Sequence, residues 1–315
     1  MRRHLPVTLS ALAAFLLLVC LAGCGLGAGP APKAIQLVVT RDFGSKAMPY
    51  SGALKVRGQE TVMSLLMRNY TVATRYGGGF VQSIEGLAGG HEGGKPVDWF
   101  YYVNGLQASK GAAATNVEPG DHIWWDHHDW SQTENVPAVV GSFPEPFLNG
   151  IEGKRLPVRI ECSSVSSYAC QTVTARLRAI NVPAAIAQIG SGGAPESLRV
   201  LVGPWVDVAG DLDAQSIAEG PHASGVYARF SEKGATLTLL NQDGGVARTL
   251  SAGAGLVAAT RRAEDAPVWV VTGTDEAGAS LAARAFDQGT LHDRFAVALT
   301  AGEAVSLPVA KAQQP

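Results

Sequence analysis

The chain has 315 residues, 46% hydrophobic, 17% charged and 7% aromatic, which excludes a disordered or collagen-like protein and gives room for about two domains. Lys and Arg number 25 against 27 Asp and Glu, a formal charge of -2, so the basic footprint of a nucleic-acid binder is missing. With 37 Gly and 17 Pro, turns and short strands are favoured over a helical bundle.

Met1-Arg2-Arg3 is a short basic start, and from Leu5 to Gly23 every residue is apolar or small, with Ala11 to Leu21 as the unbroken centre. This pattern is that of a secretory signal peptide over residues 1–23. The stretch is just long enough to cross a bilayer, so an uncleaved anchor is the competing reading. Leu21-Ala22-Gly23-Cys24 favours cleavage, because it resembles the bacterial lipobox, in which the Cys becomes the lipidated first residue. The resemblance implies acyl chains such as palmitate on Cys24 and a protein held at the cell membrane on its extracytoplasmic side. Loss of Arg2 and Arg3 would leave 23 basic against 27 acidic side chains. Residues 24–34, with GLGAGPAPK at their centre, lack periodicity and read as a flexible tether.

Cys20 lies in the apolar stretch and Cys24 at its end, so only Cys162 and Cys170 remain. In an oxidising compartment this pair is expected to form a disulfide, with two free buried thiols as the alternative. Their spacing is too wide for a CxxC redox or zinc motif, and no His lies nearby.

IQLVVTRDF from Ile35 and ALKV from Ala53 read as strands. Val62, Leu65, Leu66 and Asn69 fall at helical spacing behind Thr61, which can cap the first turn. After the glycines at 77–79 come FVQSIEGL and WFYYVNGLQA, whose Asn104-Gly105 is the strongest hairpin signal in the chain. Glu118-Pro119-Gly120-Asp121 is a turn, and HIWW a closing strand.

As an ordered set, G-x-x-TV-x-x-LL, FVQSIEGL, WFYYVNG and EPGDHIWWDHHDW resemble the transcobalamin-like C-terminal domain of bacterial surface lipoproteins, over residues 35–130. The resemblance implies a β-grasp fold. In the vitamin carriers of animals the related domain covers one face of bound cobalamin beside a helical barrel, and this chain has no such barrel. The resemblance further implies service to an uptake system, for which a transporter of the energy-coupling-factor type is the partner expected.

Residues 131–156 contain three Pro and several Gly without a sustained period and read as a connector. From Pro157, PVRIEC is a strand, ACQTVTARLRAIN a helix with Val173, Leu177 and Ile180 on one face, and AAIAQI and LRVLVGPW are strands. DVAGDLDAQSIAEG as a helix and SGVYARF as a strand would complete a βαββαβ plait. VLVGPW is faintly similar to a phrase of bacterial peptidoglycan-binding repeat domains of plait fold. Strands ATLTLLNQ, VARTLS, GLVAAT and VWVVTG follow, then a helix capped by Thr274 or Asp275 that buries Leu281, Ala282 and Phe286, and the last strand FAVAL. The fold class expected is α+β, a β-grasp-like N-terminal domain followed by an α/β plait-like domain of residues 157–315 with extra strands.

Three His and three Asp crowd into Asp121 to Trp130. Strand alternation puts Ile123 and Trp125 on one face and His122, Trp124, Asp126 and His128 on the other. His122 and Asp126 lie about 13 Å apart at roughly 3.3 Å per residue, too far to share a metal. Asp126 and His128 are close enough, but two ligands make no metal site, and a polar strand end explains them as well. Trp99, Trp124, Trp125 and Trp130 cluster with Phe100, Tyr101 and Tyr102, which is more aromatic surface than so small a domain buries easily. If the outward half meets a flat ligand, Trp99, Tyr101, Asn104, Trp124 and Asp126 are the residues expected to touch it. The competing reading packs that face on the connector, whose Phe143 and Phe147 need a dock, and on the second domain.

No nucleophile elbow, HExxH or phosphate loop is present, so no enzyme and no cofactor is expected. The function expected is a lipid-anchored extracytoplasmic binding protein, with cobalamin or a related corrinoid as ligand. The alternative is a structural, envelope-binding lipoprotein with no small-molecule ligand.

Overall fold

In the computed structural model, which describes residues 34–310 except 50, 51, 56 and 193–195, the apolar run after Ala34 becomes β1 (Ile35–Arg41). The chain continues through β2 (Lys46–Ala47), β3 (Gly52–Leu54), α1 (Val62–Asn69), β4 (Val72–Arg75), β5 (Phe80–Ile84), β6 (Leu87–Ala88), β7 (Gly90–Glu92), β8 (Lys95–Val103), β9 (Leu106–Gln107) and β10 (His122–Asp129). Residues 1–33, on which the expected signal peptide (1–23), lipid site (Cys24) and tether fall, lie outside the described residues. No helix among the described residues is long and apolar enough to cross a membrane.

Helix α1 starts where Thr61 caps it. The Thr61 side chain accepts from the Ser64 N–H while the Ser64 hydroxyl accepts from the Thr61 N–H, a reciprocal capping box that satisfies two otherwise orphaned donors. Its Val62, Met63, Leu65 and Leu66 are buried against one face of a mixed sheet ordered β2-β1-β10-β8-β7, with β3 on β1 and β9 on β8. β1 runs parallel to β10, and β8 antiparallel to it. The β8–β9 turn has Asn104 and Gly105 at φ 53° and 81°, the left-handed pair that a two-residue hairpin requires. A separate three-stranded sheet, β4-β5-β6, lies alongside.

The second half comprises β11 (Val158–Cys162), α2 (Tyr168–Ala179), β12 (Ala184–Gln188), β13 (Leu198–Pro204), α3 (Trp205–Val208), α4 (Leu212–Glu219), α5 (Pro221–Ser224), β14 (Ala228–Phe230), β15 (Leu237–Leu240), β16 (Val246–Leu250), β17 (Gly255–Thr260), β18 (Val268–Gly273), α6 (Glu276–Arg284), α7 (Gln288–Leu291), β19 (Ala296–Leu299) and β20 (Ala304–Leu307). The protein is thus mixed α and β, mostly strands in several sheets with few helices. The plait expected from Pro157 onward does not form. β12 and β13 both run parallel to β11, on its two sides, whereas a plait pairs its strands antiparallel. SGVYARF leaves that sheet altogether, and its β14 joins β15 and β16 in a three-stranded sheet. Nor is FAVAL the last strand, because β20 follows and pairs with β19.

The main sheet is ordered β12-β11-β13-β18-β17-β19-β20, and its inner strands β13, β18, β17 and β19 are buried on both faces while the edge strands β12 and β20 are largely open. One face receives α2 and α6 and, from the connector, Phe143 and Phe147, which pack on Phe286 at 4.9 Å and on Trp269 at 5.1 Å. Asp275 rather than Thr274 caps α6, accepting from the Gly278 N–H. The other face joins a core shared with the first sheet, in which Val38, Phe43, Tyr102 and Trp124 meet Leu201, Tyr227 and Phe295. No break in packing therefore falls at residues 131–156, whose Val139, Val140, Phe143 and Phe147 are buried.

Cys162 and Cys170 are joined by a disulfide across the β11–α2 loop. Replacing both by Ser is expected to lower stability by about 2–3 kcal/mol, the closure entropy of so short a loop. Urea denaturation under oxidising and reducing conditions checks this, since reduction should reproduce the loss in the parent and change nothing in the variant.

Candidate functional site: a buried polar strand and the cavity at its end

Strand β10 places the HIWWDHHD block at the centre of the first sheet, and all eight of its residues are buried. The alternation runs as expected. Ile123 and Trp125 face α1, and Trp124 faces the second half of the chain in one row with Val38 of β1 and Tyr102 of β8. Tyr101 stacks on Trp125 at 4.8 Å, and the Trp99 indole donates to the Leu87 carbonyl at 2.9 Å. Both faces are covered, so the aromatic block offers no open surface. Trp99, Tyr101, Asn104, Trp124 and Asp126 are each less than a tenth exposed, and a flat ligand cannot lie on them in this arrangement. Two glycines let the indole of Trp124 in. A Cβ at Gly141 would lie 2.7 Å from that ring and 2.6 Å from the Arg294 nitrogen, and one at Gly44, where φ is 80°, would collide with the Asp293 carbonyl.

Asp126 serves the turn after β1. Its carboxylate accepts from the Thr40 hydroxyl, from the Phe43 N–H at 3.1 Å and from the Gly44 N–H at 2.9 Å, and lies 2.8 Å from His128 Nδ1. Asp42, Phe43 and Gly44 have φ of 57°, 58° and 80°, and successive N–H groups of such a turn converge on an anion, here the protein's own carboxylate. The His128 ring is stacked between Phe43 and Phe100, each at 4.5 Å. Asp126 and His128 do meet, but as a hydrogen-bonded pair. Among the described residues no group of three or more His, Cys, Asp or Glu could hold a metal ion.

His122 is buried at the other end of β10. Its Nδ1 lies 2.9 Å from the Ser142 hydroxyl while Nε2 has no partner. Burial pushes the His122 imidazole down to about 4.

The Tyr101 and Asn104 side chains hold loops. The Tyr101 hydroxyl donates to the Lys110 carbonyl at 2.5 Å and lies 2.9 Å from Thr115 Oγ1. The Asn104 amide donates to Asp121 at 2.8 Å and to the Gly150 carbonyl at 2.9 Å, and its oxygen accepts from the His122 N–H. The loops so fixed border a cavity of about 440 Å³. Val103, Leu106 and Ile151 give it an apolar side, and Arg261 and Glu264 approach from the β17–β18 connection. Burial holds the Asp121 carboxyl above its usual range, with the Glu118 carboxylate adding to that effect against hydrogen bonds from the Glu118 N–H and Asn104. Of the cavity's charged residues, only Glu118 and Asp121 stand in a motif visible in sequence, the EPGD turn. Lys110, Glu152, Arg261 and Glu264 carry no local motif, and Arg261 reaches the cavity from 140 positions beyond Asp121.

Residues 59–129 match the model of a domain of unknown function, DUF4430. That segment runs from the turn before α1 to the end of β10 and supplies much of the cavity wall. Among solved structures, a protein of Ruminococcus gnavus described as a "putative metal binding protein" is 15% identical, with a TM-score of 0.26, over 31% of this chain and 97% of that one. No curated protein matches this chain.

Proposed function

We propose that the chain is a lipid-anchored extracytoplasmic binding protein that takes its ligand in the cavity between the DUF4430 segment and the second half. The cavity carries the proposal. Its volume falls within the roughly 300–1,000 Å³ usual for small-molecule sites, and its loops are pinned by hydrogen bonds from Tyr101 and Asn104, the latter buried. The disulfide supports an oxidising compartment, and the lipobox-like Leu21 to Cys24 supports the anchor. A parallel β1–β10 pair with α1 across one face supports a β-grasp-like reading of the first sheet. On the transcobalamin-like resemblance the first ligand to test is a corrinoid, meeting the cavity rim rather than the aromatic block.

Titration calorimetry of the full chain in detergent with cobalamin is the test. Saturable heat near one to one, lost in an Asn104→Ala variant that still folds, is the expected result. No heat would remove the corrinoid, and retention of the chain on isolated peptidoglycan would then favour the envelope-binding alternative.

A further inference from the structure

Strands β4 and β5 end in a tip that the fold leaves bare. Tyr76 there is 86% exposed, more than any other large apolar side chain among the described residues, and Phe80 across the hairpin is 38% exposed with its ring 6.2 Å away. A Cβ built at Gly77 or Gly78 would meet nothing within 4 Å. Tyr76 also has φ 51°, a left-handed conformation that costs a tyrosine more than a glycine or an asparagine. The turn would form more cheaply with either of those, and the ring covers no part of the core. A strained residue whose side chain the fold does not use points to a use outside it.

The surroundings specify what the tip meets. From Thr71 to Ile84 the only charge is Arg75, which is exposed. The Gly79 carbonyl lies 3.5 Å from a Cβ built at Gly111, in the uncharged stretch 111–117, whose Ala113 and Ala114 are exposed. That loop runs along the start of α1, with the Ala112 carbonyl accepting from the Met63 N–H, and leads to Asp121, whose carbonyl accepts from the Gln36 N–H at the head of β1. The tip and the head of β1 thus lie toward the same end of the first sheet. Ala34 stands ten positions after Cys24, a span of at most about 35 Å. An acyl group on Cys24 would keep that end near a bilayer. Aromatic rings beside a cation, with no carboxylate among them, suit the interface of a membrane with anionic headgroups.

We propose that the β4–β5 tip dips Tyr76 and Phe80 into the bilayer interface, with Arg75 on anionic headgroups, as the second membrane contact of a chain anchored at Cys24. One anchor leaves the body free to turn, whereas two contacts fix the face it presents. The inference rests on the reading of the chain as lipid-anchored.

The test places a Trp at the tip. The full chain with Tyr76→Trp, its folding verified by circular dichroism, is reconstituted in vesicles of phosphatidylcholine and phosphatidylglycerol with plain or brominated acyl chains, beside the parent, whose own Trp residues supply the background. Brominated chains are expected to remove the emission that the variant adds and to leave the parent's unchanged. Adding Arg75→Gln, or omitting phosphatidylglycerol, should restore part of it. Tyr76→Asn should match the parent in urea denaturation, and a clear loss of stability there overturns the proposal, because the ring would then serve the fold. Added emission equal in both kinds of vesicle overturns it too and leaves the tip to a protein partner. Mass spectrometry of the N-terminal peptide reads the anchor separately. Acylated Cys24 without quenching overturns this inference and leaves the lipid-anchored reading standing. Quenching in a chain without acyl groups supports the membrane-facing tip and removes that reading.

Discussion

Asp126→Asn is expected to cost about 3–5 kcal/mol of stability, the scale seen when one partner of a buried charged network is removed. The carboxylate receives the Thr40 hydroxyl and the N–H groups of Phe43 and Gly44, and faces His128. An amide of nearly the same shape must turn its NH2 towards one of those donors, so at least one bond becomes a repulsion. The turn it holds has three successive left-handed residues, of which only Gly44 adopts that conformation without strain. Phe43 projects from this turn into contact with Tyr227 and Phe295, at 5.1 Å and 5.2 Å, so loss of the carboxylate should loosen the junction between the first sheet and the second half. Urea denaturation followed by Trp fluorescence measures the effect. A variant within 1 kcal/mol of the parent would show that the turn holds itself.

Acidification is the second large effect. His122 is neutral in the folded protein, its value pushed down to about 4 by burial, against about 6.5 when unfolded. Its folded value is depressed, so between pH 6.5 and pH 4 the unfolded chain takes up a proton that the folded chain refuses. The stability that neutral His122 allows is therefore fully present above about pH 6.5, falls as pH drops, and stops falling near pH 4, a loss of about 3 kcal/mol. His292, whose value is raised by its hydrogen bond to Asp293, works in the opposite sense. Its contribution is present below its unfolded value and fades as pH rises through its folded one, and its half-exposed position weakens it. The raised Asp121 carboxyl also favours the folded state on the acid side. Comparison of the parent with His122→Gln cancels these shared contributions. The parent is expected to lose stability more steeply between pH 6.5 and pH 4.5, and equal slopes would show that His122 takes up its proton without unfolding.

Local physics made the first sheet legible. Thr61 as a cap, the Asn104-Gly105 turn and the alternation of Ile123 and Trp125 against Trp124 and Asp126 are each decided within a few residues. The second half resisted because strand direction leaves no mark of its own in sequence. Nothing in AAIAQI or LRVLVGPW distinguishes parallel neighbours of β11 from antiparallel ones, nor sends SGVYARF to a different sheet. The burial of Trp124 was legible only as one of two readings, the packing of that face on the second half, since a count of aromatic residues over 35–130 cannot know that Tyr227 and Phe295 arrive from elsewhere. The cavity is a product of the same long-range meeting, so no local pattern around Tyr101 or Asn104 reveals the loops they hold. They hold its walls and are not expected to touch what enters.

The core shared by the two halves bears on how this architecture is inherited. Val38, Phe43, Tyr102 and Trp124 share one core with Leu201, Tyr227 and Phe295, all from beyond position 200. Moved to another chain, residues 35–130 would carry that uncovered apolar face with them, so the segment is not a free-standing cassette. Its recombination requires a host that already offers a matching partner surface, and substitutions at Trp124 should be tolerated only alongside compensating ones at Tyr227 or Phe295, a covariation that crosses the boundary of the matched family.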